Sequence, residues 1–187
     1  MKMTDTHPAS PVGDDIPYLQ FWWLHDARWY QGVLKRYGPD AANEINEEAA
    51  RFMARRVGRW CARRYGIRLD DRPLEEFLPR FALIQQIMFP DDRHMRIQHT
   101  LLSDSEWETA ITDIFPKRML RAAGTTDGYR CPCMAMRSGW FEAVGVSGQD
   151  ERLECELEGG QACRFRMKVT RPGVNDDGTD GAAGADR

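Results

Sequence analysis

Four of the five cysteines in this chain of 187 residues fall between Cys131 and Cys163. The stretch opens with Arg130-Cys131-Pro132-Cys133 and closes on Leu153-Glu154-Cys155-Glu156-Leu157-Glu158-Gly159-Gly160-Gln161-Ala162-Cys163. Thiols gathered this closely serve a metal, a redox pair, a nucleophile or simple packing. Read as two strands, Leu153, Cys155 and Leu157 share one face, as do Cys163, Phe165, Met167 and Val169, while charged residues alternate on the other. A three-residue loop, Glu158-Gly159-Gly160, with Gly160 at positive φ in a bulge, sets Cys155 directly across from Cys163. A two-residue Gly-Gly loop puts them on opposite faces. In the first register the two sulfurs converge on one atom, and Cys131 or Cys133 approaches from upstream. Three thiolates completed by a carboxylate, a histidine or a fourth thiolate suit tetrahedral zinc. The spacing is not that of a paired CxxC ribbon, so buried small hydrophobes are the competing reading.

Cys131 and Cys133 precede a helix expected over 135–144, which stops at Gly145. The partial positive charge of a helix N-terminus, with Arg130 and Arg137 nearby, favours thiolate at this entrance. The same effect serves a metal ligand, a redox thiol or a nucleophile. In a hydrolase of this design Cys131, Cys133 or a metal-bound water attacks, and His25 or Asp26 handles protons.

Two helices must position these groups. The first, 16–37, carries Trp22, Trp23, Trp29, Tyr30, Val33, Leu34 and Tyr37 on one side, with Asp26 in the middle of it and His25 at its edge. Gly38-Pro39-Asp40 ends that helix and starts a second, which runs to Tyr65. Its apolar face, Ala42, Ile45, Ala49, Phe52, Met53, Val57 and Trp60, also projects Asn46 and Arg56. Asp26, Trp29, Asn46 and Arg56 are therefore candidate ligand-binding residues, with Arg56 offsetting Asp26 and holding a carboxylate or amide. The bland alternative is a structural ion pair or an Arg56 that reaches solvent.

A third helix is expected over 73–89, perturbed by Pro79. Residues 95–102 and 106–114 then alternate as a hairpin around Ser103-Asp104-Ser105, with Trp107, Thr109 and Ile111 together and His99 on the more apolar side. A lone histidine there is more often a hydrogen-bonded core residue than a ligand, so His94 and His99 stand in reserve as a fourth metal position. Residues 116–123 form a short helix. The polar arm 1–14 and the tail 170–187 have too little to bury to order themselves. The expected architecture is one α+β domain over 15–169: a helical layer, 15–89, on a mainly antiparallel sheet with the cysteine region, 94–169.

With 26 basic and 29 acidic residues and no long basic run, nothing points to nucleic acid. No stretch approaches the roughly 18 apolar residues of a membrane span, and the N-terminus lacks a signal core, which points to a cytoplasmic protein without a membrane partner. Reduced thiols are the default in that compartment.

The ending Cys155-x7-Cys163-Arg164-Phe165, with Cys131 and Cys133 upstream, resembles the vinyl-reductase-type small-molecule-binding domain, also found as the aromatic-sensing module of certain bacterial transcriptional activators. The resemblance implies a structural zinc on three cysteines and a glutamate beside a pocket for a small hydrophobic or aromatic molecule. It matches Cys155 and Cys163 to the last two cysteines and Cys131 or Cys133 to the first. Arg152 occupies the glutamate position, with Glu151 and Glu154 beside it. Leu24-His25-Asp26-Ala27-Arg28-Trp29-Tyr30, Asn43 to Asn46 and Arg137 to Gly145 are similar to an uncharacterised bacterial and archaeal family of about this length, and more distantly to aminothiazoline-carboxylate hydrolases. The resemblance also implies a homodimer. The leading expectation is a small-molecule-binding protein with cysteine-ligated zinc and a pocket rich in Trp22, Trp23, Trp29, Phe52 and Trp107. The alternative is a hydrolase of ring or amide C–N bonds.

Overall fold

The computed structural model describes residues 18–70, 72–90 and 95–170. The expectations for the arm, for His94 and for the tail beyond Thr170 lie outside these residues. The chain runs through α1 (Tyr18–Tyr65), α2 (Leu74–Met88), β1 (Arg96–Ser103), β2 (Glu106–Thr112), α3 (Phe115–Ala122), α4 (Cys133–Val144), β3 (Gly148–Glu154) and β4 (Cys163–Val169). Helices pack on a four-stranded antiparallel sheet of order β1-β2-β4-β3, an α+β fold.

The Gly38-Pro39 break is present as a kink. Gly38 adopts φ 83°, a left-handed conformation that glycine reaches without steric cost, and Pro39 starts the second segment of α1. The β1–β2 hairpin pairs Ile97 with Ile111, His99 with Thr109 and Leu101 with Trp107. Trp107, Thr109 and Ile111 face inward, and Cys163, Phe165, Met167 and Val169 continue that face on β4. Against it α2 sets Phe77, Phe81 and Ile84, and α4 sets Trp140, Phe141 and Val144. Phe81 is the aromatic hub, its ring 5.7 Å from Phe141, 6.2 Å from Trp140 and 5.6 Å from His99.

The faces of α1 differ from the helical-wheel expectation. The second segment buries Ala50, Ala54, Gly58 and Cys61, and its small residues let α4 approach closely at Gly139 and Ala143. The bulky set expected in the core, Ile45, Phe52, Met53 and Trp60, is exposed. Trp22, Trp29 and Tyr37 are exposed on the first segment, whereas Tyr30 and Val33 are buried and Trp23 packs on Phe89 and Phe115. The wheel ranks faces by hydrophobicity, but close helix packing here selects the face that lets backbones approach.

The closing hairpin also differs. A bulge between Arg152 and Glu154 turns Leu153 outward, and residues 155–162 connect the strands through a one-turn 3-10 helix, Glu156–Glu158. Gly159, not Gly160, takes positive φ, at 94°. Gly160 is required for space, since a Cβ there would meet the Glu154 side chain and the Cys155 carbonyl.

Candidate functional site

Three segments deliver four thiols to one place. Cys131 lies just ahead of α4, Cys133 is its first residue, Cys155 follows β3 and Cys163 opens β4. Cys131 and Cys133 bring their sulfurs to 2.7 Å. Cys131 also shares a hydrogen bond with Cys155, and Cys133 with Cys163, which links all four. Lys117, 3% exposed, reaches in from α3 and donates to Cys163 Sγ at 2.6 Å, with Cys155 Sγ at 4.0 Å.

Each segment is held from behind. Asn43 on α1, itself buried, donates to the Gly128 carbonyl and accepts the Arg130 N–H, fixing the run into Cys131. One turn beyond Lys117, Arg121 donates to the Glu156 carboxylate at 2.6 Å and to its carbonyl at 2.8 Å, tying α3 to the 3-10 turn. The Glu156 N–H points at Cys163 Sγ, 3.4 Å away. The Glu154 carboxylate accepts the backbone N–H groups of Gln161 and Ala162 and pairs with Arg164, while Arg152 pairs with Glu158. Glu154, beside the position that Arg152 fills, thus caps the loop, and both Cys131 and Cys133 face the cluster.

The charges are mutually dependent. Burial alone would push the Lys117 ammonium down, but the facing sulfurs of Cys131, Cys133 and Cys163 reverse this and hold it above the ordinary lysine range. Hydrogen bonds from Cys133 and Cys155 hold Cys131 far below the usual thiol range. The bond with Cys133, helped by Lys117, draws Cys163 down to about 6. Cys133 and Cys155, the partners in those bonds, are pushed up. A buried lysine beside thiols is satisfied as an ammonium–thiolate pair. Among the described residues no three cysteine, histidine, aspartate or glutamate side chains stand ready-spaced around a metal position. The thiols are drawn in more tightly than that: two ligands of one tetrahedral zinc lie about 3.8 Å apart, from Zn–S of about 2.3 Å.

Beside Cys133 lies an apolar cavity of about 20 Å³, walled by Met95, Ile111, Ile114, Met136, Arg137 and Trp140. Arg137 is fully buried. Its Nε and one terminal nitrogen donate to Asp150 at 2.8 and 2.6 Å, and its guanidinium lies over the rings of Phe141 and Phe165. Among the described residues the other terminal nitrogen, Nη1, has no acceptor. Gln85 Nε2 and Trp107 Nε1 are further buried donors without one. His99 is a bonded core residue, its ring nitrogens meeting Thr109 Oγ1 at 3.0 Å and Gln85 Oε1 at 2.8 Å. Burial, reinforced by the positive charge of Arg137, pushes it down to about 4.

Asp26, Trp29 and Arg56 are exposed and Asn46 is half-buried. Among the described residues Asp26 pairs only with the neighbouring His25, at 3.4 Å, and not with Arg56. Neither His25 nor Asp26 contacts Cys131 or Cys133, so the structure does not assemble these candidate acid-base groups with the thiols. The sequence marked Arg137 only as a charge near the α4 entrance, and Lys117, Asp150 and Gln85 not at all. Arg137 carried one signal, a charged residue interrupting the apolar run from Met134 to Val144.

No family model and no curated protein matches this sequence. The fold itself has solved counterparts among α+β domains. The phenol-responsive sensory domain of the transcription activator PoxR, solved with phenol, aligns with a TM-score of 0.59 at 13% identity, over 79% of this chain and 74% of that one. A trafficking protein particle complex subunit 3 from Naegleria fowleri, covalently bound to palmitic acid, aligns with a TM-score of 0.55 at 15% identity, over 81% of this chain and 95% of that one. The fold expected from the aromatic-sensor resemblance is thus present. Neither structure bears on the vinyl-reductase or hydrolase resemblance. Among the described residues no helix is long and apolar enough to cross a membrane.

Proposed function

We propose that this protein binds a small apolar or aromatic molecule bearing an oxygen acceptor, in the cavity between α4 and the sheet, and that a zinc ion on Cys131, Cys133, Cys155 and Cys163 fastens the neighbouring elements. The observation that carries the ligand reading is an apolar cavity lined in part by Arg137, whose Nη1 is a buried donor without an acceptor among the described residues. Leaving such a group unsatisfied costs on the order of 1–3 kcal/mol, which a ligand hydroxyl, carbonyl or carboxylate oxygen removes. At about 20 Å³ the cavity has room for one water. Met95 and Met136, unbranched and adaptable, are the walls that yield to something larger. Phenol and palmitic acid, held by two proteins of this fold, are both apolar bodies carrying oxygen.

The zinc reading rests on the donor set. Four thiolates around Zn²⁺ leave a net charge of −2, and the Lys117 ammonium offsets half of it. The Glu156 N–H supports one sulfur, as ligating thiolates require. Small outward movements bring the sulfurs to ligand spacing. The bound metal supplies a cross-link between the α4 entrance and the β3–β4 hairpin, and with it folding energy.

Two measurements test the pair of claims. Elemental analysis of protein purified without added metal should find about one zinc per chain, with four thiols unreactive until denaturation. Cys155→Ser and Cys163→Ser should each lower the melting temperature and the zinc content; full melting and no metal in wild type would overturn the zinc site. Phenol and benzoate, titrated in thermal-shift and calorimetric assays, should stabilise wild type but not Met136→Trp, which fills the cavity. Equal stabilisation of both proteins, or of neither, would overturn the ligand site.

A further inference from the structure

We infer that the exposed face of the second segment of α1 is the contact between two copies of this chain, packed antiparallel about a twofold axis between Phe52 and Met53. Of the large apolar side chains left exposed among the described residues, ten lie on α1 and four elsewhere, so the exposure is not scattered. Ile45, Phe52, Met53 and Trp60, with Ala49 between them, recur at helical spacing along one stripe, opposite the small residues that meet α4. At 1.5 Å per residue the stripe from Ile45 to Trp60 is about 22 Å long. Its apolar area is on the order of 500 Å², as large as the largest patch a typical monomer exposes. With the side-chain stems flanking it, the face approaches the ~800 Å² per partner of a stable interface.

Charge selects the occupant. The acids Glu44 and Glu48, at the side of the stripe, precede the twofold point, and the bases, Arg56 within the stripe and Arg59 and Arg63 beside it, follow it. Among the described residues Glu44, Glu48, Arg56 and Arg63 form no ion pair. The helix dipole favours acids early and bases late, but it asks for no bulky apolar stripe between them. Antiparallel pairing about the 52/53 point sets Ile45 against the second copy's Trp60, Phe52 against its Met53, and Glu48 beside its Arg56. The surface is thereby complementary to itself, as a twofold contact requires.

Sedimentation equilibrium tests the inference. Wild type should weigh twice its 21.5 kDa at micromolar concentration. Phe52→Glu, at a side chain already exposed, should weaken dimerisation at least a hundredfold with unchanged circular dichroism. Glu48→Arg and Arg56→Glu should each weaken it about tenfold, and the double variant, which exchanges the charges, should recover most of the loss. A wild type monomeric at 100 µM, a dimer indifferent to Phe52→Glu, or a double variant no better than the singles would overturn the contact or its register.

Discussion

The Asn43 amide on α1 joins the Gly128 carbonyl, at 2.7 Å, to the Arg130 N–H, at 2.9 Å, across more than eighty residues of sequence. It also accepts the Tyr30 hydroxyl at 2.9 Å. One side chain thereby fixes the approach to Cys131. Asn43→Ala leaves three polar groups without that partner, and at roughly 1–3 kcal/mol for each group that stays dry the loss should be about 2–4 kcal/mol in urea denaturation. Cys131 should also react faster with a thiol reagent under native conditions. A loss below about 0.5 kcal/mol would show that water replaces the amide freely.

Arg137 and Asp150 form a buried ion pair whose halves are not equivalent. Removing the carboxylate leaves a fully buried guanidinium uncompensated, whereas removing the guanidinium leaves a carboxylate at the edge of the sheet, near solvent. Asp150→Ala should therefore cost about 3–5 kcal/mol, and Arg137→Met, which keeps the stem against Phe141 and Phe165, distinctly less. The order of the two melting temperatures decides the point. If Arg137→Met proves the worse, the contacts over the two rings outweigh the charge.

Period and punctuation made much of the architecture readable beforehand. Gly38-Pro39 marked the kink, alternation around Trp107, Thr109 and Ile111 marked the β1–β2 hairpin, and His99 behaved as a hydrogen-bonded core residue. The side of α1 facing the core was not readable from hydrophobicity, because Ala54 meets Gly139 and Gly58 meets Ala143 by virtue of their small size. The cysteines declared themselves by clustering. Lys117 did not, since a lysine in a short surface-like helix carries no mark of burial until the thiols that face it are in place. The hairpin register failed at one residue, where the bulge before Glu154 lengthens the loop that its carboxylate then caps.

His99 gives the fold a dependence on pH. In the unfolded chain it protonates near 6.5, while burial and Arg137 hold it at about 4 in the fold. Between those values the unfolded chain binds the extra proton. The stabilising contribution is thus complete above about pH 6.5 and is lost as pH falls toward 4, to an extent on the order of 3 kcal/mol. Carboxylates titrate in the lower part of this window, so the comparison is between wild type and His99→Gln. The gap between their unfolding free energies should change across pH 6.5 to 4; a constant gap would show that the ring is protonated in the fold.

The α1–α4 contact makes a prediction whose sign opposes helix propensity. Alanine favours a helix over glycine by about 1 kcal/mol, so Gly139→Ala and Gly58→Ala should each stabilise isolated helices by that amount. In the fold a Cβ on Gly139 falls inside the Arg51 carbonyl and 3.0 Å from the Arg55 nitrogen, both backbone atoms that move only if the helices part. A Cβ on Gly58 falls 2.7 Å from the Ala143 methyl, which a small shift can relieve. Overpacking of this kind costs roughly 1–3 kcal/mol and more where backbone must move. Gly139→Ala should therefore destabilise by about 2 kcal/mol or more net, and Gly58→Ala by about 1 kcal/mol. Parting the helices also loosens the ion pair between Arg51 and Glu142 that spans them. Chemical denaturation of both variants checks the order, and a stabilised Gly139→Ala would mean that α4 stands farther from α1 than the close approach at this glycine requires.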